Sequence, residues 1–384
     1  MMRTDTRRRI MVLGGYGNFG ARICRALAKS GCGELLIAGR KLEHARGLAA
    51  ELTATYPGYE ATGIELDCFA PELARKLAAL RPVVVVHTVG PFQGQDYRVA
   101  SACADCGSHY IDLADARDFV ANFATLDREA RNRDVLLVSG ASTLPGVSSA
   151  VIEALRTDLS SLSAIEISIA PAGRTARGAA TVAAVLSYCG KPLPVLENGA
   201  WTTRYGWLDH RTVRYGSFTR RVAACDVPDL GLFPERYGAR TVTFHAGPES
   251  RWQLAVLGLM ATLTRIHVVR DWSRYARPIA TLDSWITRFG SDTGAMQVRI
   301  RGTTARGEAV TRTWNLTAGR NHGPEIPCAP AIALTKMMLG NGVRERGAKP
   351  CIGVIDLGKV TAELADFDID WQVTEERGQC FPPT

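Results

Sequence analysis

The stretch Ile10-Met11-Val12-Leu13-Gly14-Gly15-Tyr16-Gly17-Asn18-Phe19-Gly20 runs from apolar residues into a glycine cluster, and a helical pattern from Ala21 to Lys29 comes at once after it. That order reads as strand, tight turn and helix. Gly15, Gly17 and Gly20 fit a G-x-G-x-x-G spacing, in which one glycine makes the turn, one lets backbone approach a pyrophosphate and one lets helix and strand pack closely. The helix N-terminus adds free N–H groups and the positive end of its dipole, so Gly15, Tyr16, Gly17, Asn18, Phe19 and Gly20 form the expected phosphate cradle. A ligand-free glycine turn looks the same locally. The argument for a dinucleotide is the second strand, Glu34 to Ala38, whose end lies about 20 residues past the last glycine.

The end of that second strand chooses between NAD and NADP. An acid there accepts from a ribose 2′-hydroxyl, whereas a cation pairs with a 2′-phosphate. The chain places Arg40 and Lys41 there and no acid until Glu43. The expected cofactor is therefore NADP(H), with Arg40 as a forked donor and Lys41 as a supporting point charge.

Working outward, a helix over Leu42 to Tyr56 precedes a strand near Ala61 to Leu66. Asp67 closes that strand, placed either to accept from an adenine amino group or to cap the next helix. Val83 to Val86 is a continuous β-branched run, the pattern of a central parallel strand buried on both faces. Its carboxyl end is where a doubly wound sheet holds its ligand, so Thr88, Val89, Gly90, Pro91 and Phe92 join the expected cofactor site, Phe92 as a wall for the nicotinamide. A helix near Tyr97 to Gly107, a strand over His109 to Leu113, a helix near Phe119 to Asn132 and a strand over Val135 to Val138 continue the alternation. The fold class is α/β, a Rossmann-type doubly wound parallel sheet.

After Ser142-Thr143-Leu144-Pro145-Gly146 the pattern changes. Glu166 to Ala170 alternates polar with apolar, and Gln297 to Gly302 and Val310 to Leu316 read as antiparallel strands, which predicts a second, α+β domain for substrate binding or dimerisation. The expected boundaries are 1–148 for the nucleotide-binding domain, completed by segments from about 326 to 384, and 149–325 for the second domain.

The composition, 384 residues with 46% apolar and 22% charged, is that of a soluble globular chain. A net charge of +8 with no basic tract longer than Arg7-Arg8-Arg9 argues against nucleic acid and for anionic small molecules. The first apolar run is too short for a signal-peptide core and no stretch is long enough to span a membrane, so a cytoplasmic location is expected. Ten cysteines read as reduced core residues; Cys103 and Cys106 form a lone C-x-x-C, and no metal site is expected.

The Gly14 to Gly20 opening, Ala38-Gly39-Arg40, His87 to Phe92, His109-Tyr110-Ile111-Asp112-Leu113-Ala114-Asp115 and Ser142 to Gly146 together resemble the saccharopine dehydrogenase-like NADP-binding family. The resemblance is dense over the first 150 residues and thin afterwards. It implies a Rossmann domain, a second domain whose chain finally returns to the first, a homodimer, and pyridine-nucleotide chemistry at a C–N bond. Members also include relatives acting on lipid-like enones, so the substrate stays open.

Hydride transfer to an imine or carbonyl needs a proton donor at the nitrogen or oxygen and a cation for an anionic substrate. Asp115, Arg117 and His322 are the catalytic candidates, and Arg174, Arg177, Arg204, Arg211 and Arg214 are candidate carboxylate partners. Two rivals stand beside the reduction of C=N or C=O in a carboxylated metabolite. One is a C=C reductase for an apolar substrate, suited by the aromatic-rich middle; the other is a non-enzymatic NADP(H) sensor.

Overall fold

A computed structural model describes residues 8–175, 177–287, 290–340 and 344–378. In chain order the elements are β1 (Arg9–Leu13), α1 (Asn18–Lys29), β2 (Glu34–Gly39), α2 (Leu42–Thr55), β3 (Ala61–Glu65), α3 (Leu73–Leu80), β4 (Val84–His87), α4 (Arg98–Asp105), β5 (His109–Asp112), α5 (Arg117–Ala121), α6 (Asp127–Asn132), β6 (Leu136–Ser139), α7 (Ser148–Leu155), β7 (Leu159–Ala170) and α8 (Ala179–Ser187). They continue with β8 (Pro192–Glu197), β9 (Ala200–Tyr205), β10 (His210–Tyr215), β11 (Phe218–Ala224), α9 (Asp229–Tyr237), β12 (Thr241–Ala246), α10 (Arg251–Arg265), α11 (Ala276–Ile286), β13 (Gly294–Thr304), β14 (Ala309–Ala318), α12 (Ala329–Leu339), β15 (Gly347–Pro350), α13 (Leu357–Ala362) and β16 (Ile369–Gly378).

The chain divides into two compact units. The first contains a seven-stranded parallel sheet in the order β15-β6-β5-β4-β1-β2-β3. The β-branched run explains β4 at the centre: Val84, Val85 and Val86 are fully buried, as a strand covered by helices on both faces requires. From β1 the chain first builds β2 and β3 on one side, then β4 on the other. That reversal opens a crevice at the carboxyl ends of β1 and β4, where Leu13 leads into the glycine turn and His87 into Thr88. Helix α1 forms because Ile23, Cys24, Leu27 and Ala28 return to one face at helical spacing and bury it.

The second unit is built on a mixed nine-stranded sheet with the path β10-β11-β12-β7-β13-β14-β16, and β8 and β9 beside it. Strand β7 begins at Leu159, well before the expected Glu166, and Ile165 and Ile167 are buried along it. Strands β13 and β14 pair antiparallel with Gln297 opposite Asn315.

Two expectations are corrected. The predicted helix from Phe119 to Asn132 is α5, a 3-10 turn over Phe123–Leu126, and α6. Thr125 Oγ1 donates to the Asn122 carbonyl at 2.7 Å, a local bond that competes with the helical ladder. The tail does not return to the first unit as a whole. Glu325–Glu363 joins it, whereas the described residues from Leu364 onward group with the second unit, because β16 pairs with β14 along its full length, from Ile369 opposite Ala318 to Gly378 opposite Ala309. Ala116–Ala121 also groups with the second unit.

Candidate cofactor site

The turn after β1 is closed by Gly14 N–H and Gly15 N–H donating to the Ala38 carbonyl at 2.8 and 3.1 Å, and by Gly17 N–H donating to the Gly14 carbonyl at 2.8 Å. Gly14 has φ +75°, and a Cβ there would lie 2.8 Å from Thr88 Oγ1. The left-handed turn position is therefore Gly14, one residue before the spacing placed it; the Gly14-Gly15 doublet was the available signal. A Cβ on Gly20 would lie 2.3 Å from the Gly14 carbonyl oxygen, so this glycine is what lets α1 seat on the turn. At Gly17, the extended residue that opens α1, the same test meets only that oxygen, at 3.0 Å. The first-turn N–H groups of Asn18, Phe19 and Gly20 have no helical carbonyl to bond, which makes this end a natural anion cradle.

At the end of β2, Arg40 and Lys41 are exposed, and neither forms an ion pair with the described residues. A Cβ on Gly39 would lie 2.3 Å from the Tyr16 ring. Only glycine lets Tyr16 lie across the strand end, where its hydroxyl accepts from Lys41 N–H at 2.9 Å and its ring centroid is 5.4 Å from that of His44. Tyr16 thus fixes where Arg40 and Lys41 leave the strand. Tyr16→Phe should lower the stability of the fold by up to about 1 kcal/mol, the value of one neutral hydrogen bond, and weaken NADPH more than NADH; urea unfolding and calorimetric titration read the two effects. Asp67 Oδ1 accepts from Phe69 N–H at 3.0 Å, a local turn bond that leaves the residue exposed.

Thr88 ties β4 to the glycine turn, its N–H and its hydroxyl donating to the Leu13 carbonyl at 3.0 and 2.8 Å. Gln95, which no sequence pattern marks, stitches the loop: its amide donates to the carbonyls of Val89 at 3.0 Å and Pro91 at 2.7 Å. Val89 and Gly90 are half-buried and Pro91 is exposed. Phe92 is only 4% exposed, with its ring 5.1 Å from that of His87. That corrects its expected role: the ring is committed to the core and props the loop from within rather than walling a nicotinamide.

Below the loop lies a buried polar chain. His87 Nδ1 is 2.9 Å from the Tyr110 hydroxyl, and burial pushes the imidazole pKa down to about 3, so the ring is neutral. Asp112 Oδ1 accepts from Ala114 N–H at 2.9 Å, Gly140 N–H at 2.8 Å and Ser139 Oγ at 3.0 Å, while burial raises the carboxyl to about 6. This side chain clamps the loops after β5 and β6. Its signal in the sequence was an acid closing the short strand that His109, Tyr110 and Ile111 begin.

The catalytic candidates each have a local partner. Asp115 closes the first unit's long opening segment, and its exposed carboxylate accepts from Gln93 Nε2 at 3.2 Å. Surrounding protein raises its pKa although the residue keeps accessible surface, so the group is both crowded and reachable. Arg117 belongs to the second unit, where Nη1 donates to the Pro194 carbonyl at 2.9 Å and to Asp226 at 3.3 Å. His322, also in the second unit, accepts at Nδ1 from Asp368 N–H at 2.9 Å and stands edge-on to Phe367. Of the five candidate carboxylate partners, Arg177 is paired with Asp283 at 3.3 Å, Arg204 with Glu197 at 2.7 Å and Arg211 with Glu166 at 3.2 Å. Arg214 donates to the Gly216 carbonyl at 3.2 Å, whereas Arg174 is exposed and has no ion pair among the described residues.

A glycine-cradled helix N-terminus at the switch point of a parallel sheet, beside a strand end that carries two cations without ion-pair partners among the described residues, defines a dinucleotide-binding Rossmann domain. Residues 10–138, about a third of the chain, match the family described as Saccharopine dehydrogenase NADP binding domain, so this stretch is similar to that domain. The residues present fit NADP(H): the glycines let backbone N–H groups face a diphosphate, and Arg40 and Lys41 form no ion pair among the described residues.

The apo saccharopine dehydrogenase (L-Glu forming) of Saccharomyces cerevisiae superposes with a TM-score of 0.66 at 13% identity, covering 96% of this chain and 100% of that one, a likeness of fold. An amine dehydrogenase of Mycobacterium smegmatis gives a TM-score of 0.45 at 11% identity, over 92% of this chain and 96% of that one. An oxidoreductase of Fusarium equiseti is 33% identical over 81 residues, 20% of this chain and 31% of that protein, so the match spans less than a third of the relative. Among the described residues, no helix is long and apolar enough to cross a membrane, and no group of three His, Cys, Asp or Glu side chains could hold a metal.

Proposed function

We propose that the chain is an NADP(H)-dependent oxidoreductase that moves a hydride to or from a C=N or C=O bond of a small carboxylated metabolite. The observation that carries the reading is the uncommitted Arg40 and Lys41 pair held by Tyr16 at the end of β2, next to the glycine cradle. The bound cofactor supplies or takes up the hydride. The chain's residues do the rest. The Gly14 to Gly20 turn and α1 hold the diphosphate, and Thr88 and Gln95 keep the β4 loop in place. Asp115, reachable and with its pKa raised by burial, is the proton donor to the nitrogen or oxygen.

The test is NADPH oxidation by the purified chain with imines formed from 2-oxo acids, with carboxylated ketones and with uncharged enones. Turnover of a carboxylated imine or ketone is expected, with kcat lowered about 100-fold in Asp115→Asn at unchanged NADPH affinity. Turnover of enones alone would replace the reading with C=C reduction. Tight NADPH binding with no turnover of any acceptor would replace it with a cofactor sensor.

A further inference from the structure

The loops that leave β4 and β5 start side by side, because the two strands pair in parallel with His87 opposite Asp112. Both loops are anchored close to a polar side chain. In the first, Phe92 is buried and Gln95 donates to the carbonyls of Val89 and Pro91, which holds the backbone on either side of Gln93. In the second, Asp112 accepts from Ala114 N–H, which holds the backbone just ahead of Asp115. Between the loops, Gln93 Nε2 donates to Asp115 Oδ1 at 3.2 Å.

The other end of the Gln93 amide is orphaned. Its Oε1 is buried and has no hydrogen-bond partner among the described residues. Turning the amide over would set that carbonyl against the Asp115 carboxylate, two acceptors with no hydrogen between them, so the observed orientation is the one that Asp115 dictates. An unpartnered buried acceptor lowers stability, and such a group is retained where it serves a site.

We propose that Gln93 is the positioning residue for the proton of Asp115: by donating to Oδ1 it makes that atom the carbonyl oxygen of the acid and leaves Oδ2 to carry the proton. The assignment rests on Asp115 being the proton donor proposed above. A carboxylic acid has one oxygen that accepts and one that gives, and a fixed donor at Oδ1 removes the choice, so the acid meets the substrate in one orientation. The proton then leaves Oδ2, the electron pair of its O–H bond stays on the carboxylate, and the new bond forms at the substrate nitrogen or oxygen. Once the proton has left, the same N–H stabilises the carboxylate and opposes the rise in pKa that burial imposes. No charged side chain among the described residues contributes to that balance.

The experiment compares the full chain with its Gln93→Leu and Asp115→Asn variants. Carbon-13 NMR of labelled aspartate carboxyls follows the titration of Asp115, assigned as the signal missing from Asp115→Asn, and NADPH oxidation with imines formed from 2-oxo acids gives the pH profile of kcat. Loss of the Gln93 donor should move the Asp115 midpoint up by about one pH unit, because it removes a hydrogen bond to the charged form. The falling limb of kcat should move up with it, and the kcat plateau should drop about tenfold with KM within about twofold of wild type. The urea midpoint of Gln93→Leu should stay at or above the wild-type value, since the orphaned carbonyl goes with the amide; a residue kept for structure alone would lose stability instead. An Asp115 midpoint equal in wild type and Gln93→Leu would overturn the proposal whatever the turnover, as would a kcat limb that stays in place while the midpoint moves. Undiminished turnover by Asp115→Asn, or no turnover by wild type, would remove the proton-donor reading itself and this role of Gln93 with it.

Discussion

Arg40→Asp should raise the Kd for NADPH by about 100-fold while leaving that for NADH within about threefold of wild type. The guanidinium at the end of β2 is exposed and has no carboxylate partner among the described residues, so its charge is free for a 2′-phosphate. Charge-assisted hydrogen bonds of this kind contribute about 1.5–3 kcal/mol, and a carboxylate in the same place adds repulsion of roughly 1 kcal/mol at surface dielectric. The sum of about 3 kcal/mol is about two decades in affinity. NADH escapes both effects, and the new carboxylate gains a ribose hydroxyl to accept from. Because Arg40 holds no other group among the described residues, the unfolding midpoint should not move. Calorimetric titration with both nucleotides checks this, and Arg40→Lys should fall between, since it keeps the charge and loses the fork. Equal loss for the two nucleotides would remove Arg40 from the 2′-phosphate and with it the NADP(H) assignment.

This site is legible in the sequence, and its surroundings are not, because local pattern encodes elements rather than partners. The strand, glycine turn and helix from Ile10 onward are consecutive, and each is marked by its own residues: an apolar run, glycines, then a helical stripe. Identity of partners is a different matter. Asp112 clamps Gly140, 28 residues away, and Arg312 holds Asp158, 154 residues away; no periodicity announces either pairing. The arginines expected as carboxylate partners fail for this reason. Arg211 finds Glu166, which strand pairing brings near, and a charge spoken for in the fold looks the same in sequence as one waiting for a ligand. Phe92 departs from expectation on similar grounds, since an aromatic side chain after a glycine loop faces solvent or core according to neighbours supplied by β4. The division of the tail is illegible because β16 has mostly exposed side chains, and its partner β14 is visible in the sequence only as a strand, not as an open edge.

The stability that His87 contributes should decline by about 3 kcal/mol between pH 7 and pH 4.5. In the fold the ring is neutral with its pKa depressed to about 3, against 6.5 in the unfolded chain. For a base with a depressed folded pKa, the contribution is fully present above 6.5 and is lost as pH falls toward 3, because the unfolded chain takes up a proton the folded one refuses. Two units below 6.5, at about 1.4 kcal/mol per unit, give the expected loss. His245, depressed to about 3 by burial, acts in the same direction. Asp112, raised to about 6, and Asp229, raised to about 7, act in the opposite one: their contributions are present below 3.8 and lost as pH rises through those values. The total pH profile therefore mixes cancelling effects, and the difference between wild type and His87→Gln isolates the imidazole. Glutamine keeps a partner for the Tyr110 hydroxyl and cannot titrate, so urea unfolding of the two proteins at pH 7 and pH 4.5 should show their stability difference shift by about 3 kcal/mol in favour of the variant at the lower pH. A constant difference would mean that the folded protein accepts a proton at His87. Because the folded ring stays neutral across this window, NADPH affinity should change with pH to the same extent in the wild type and in His87→Gln.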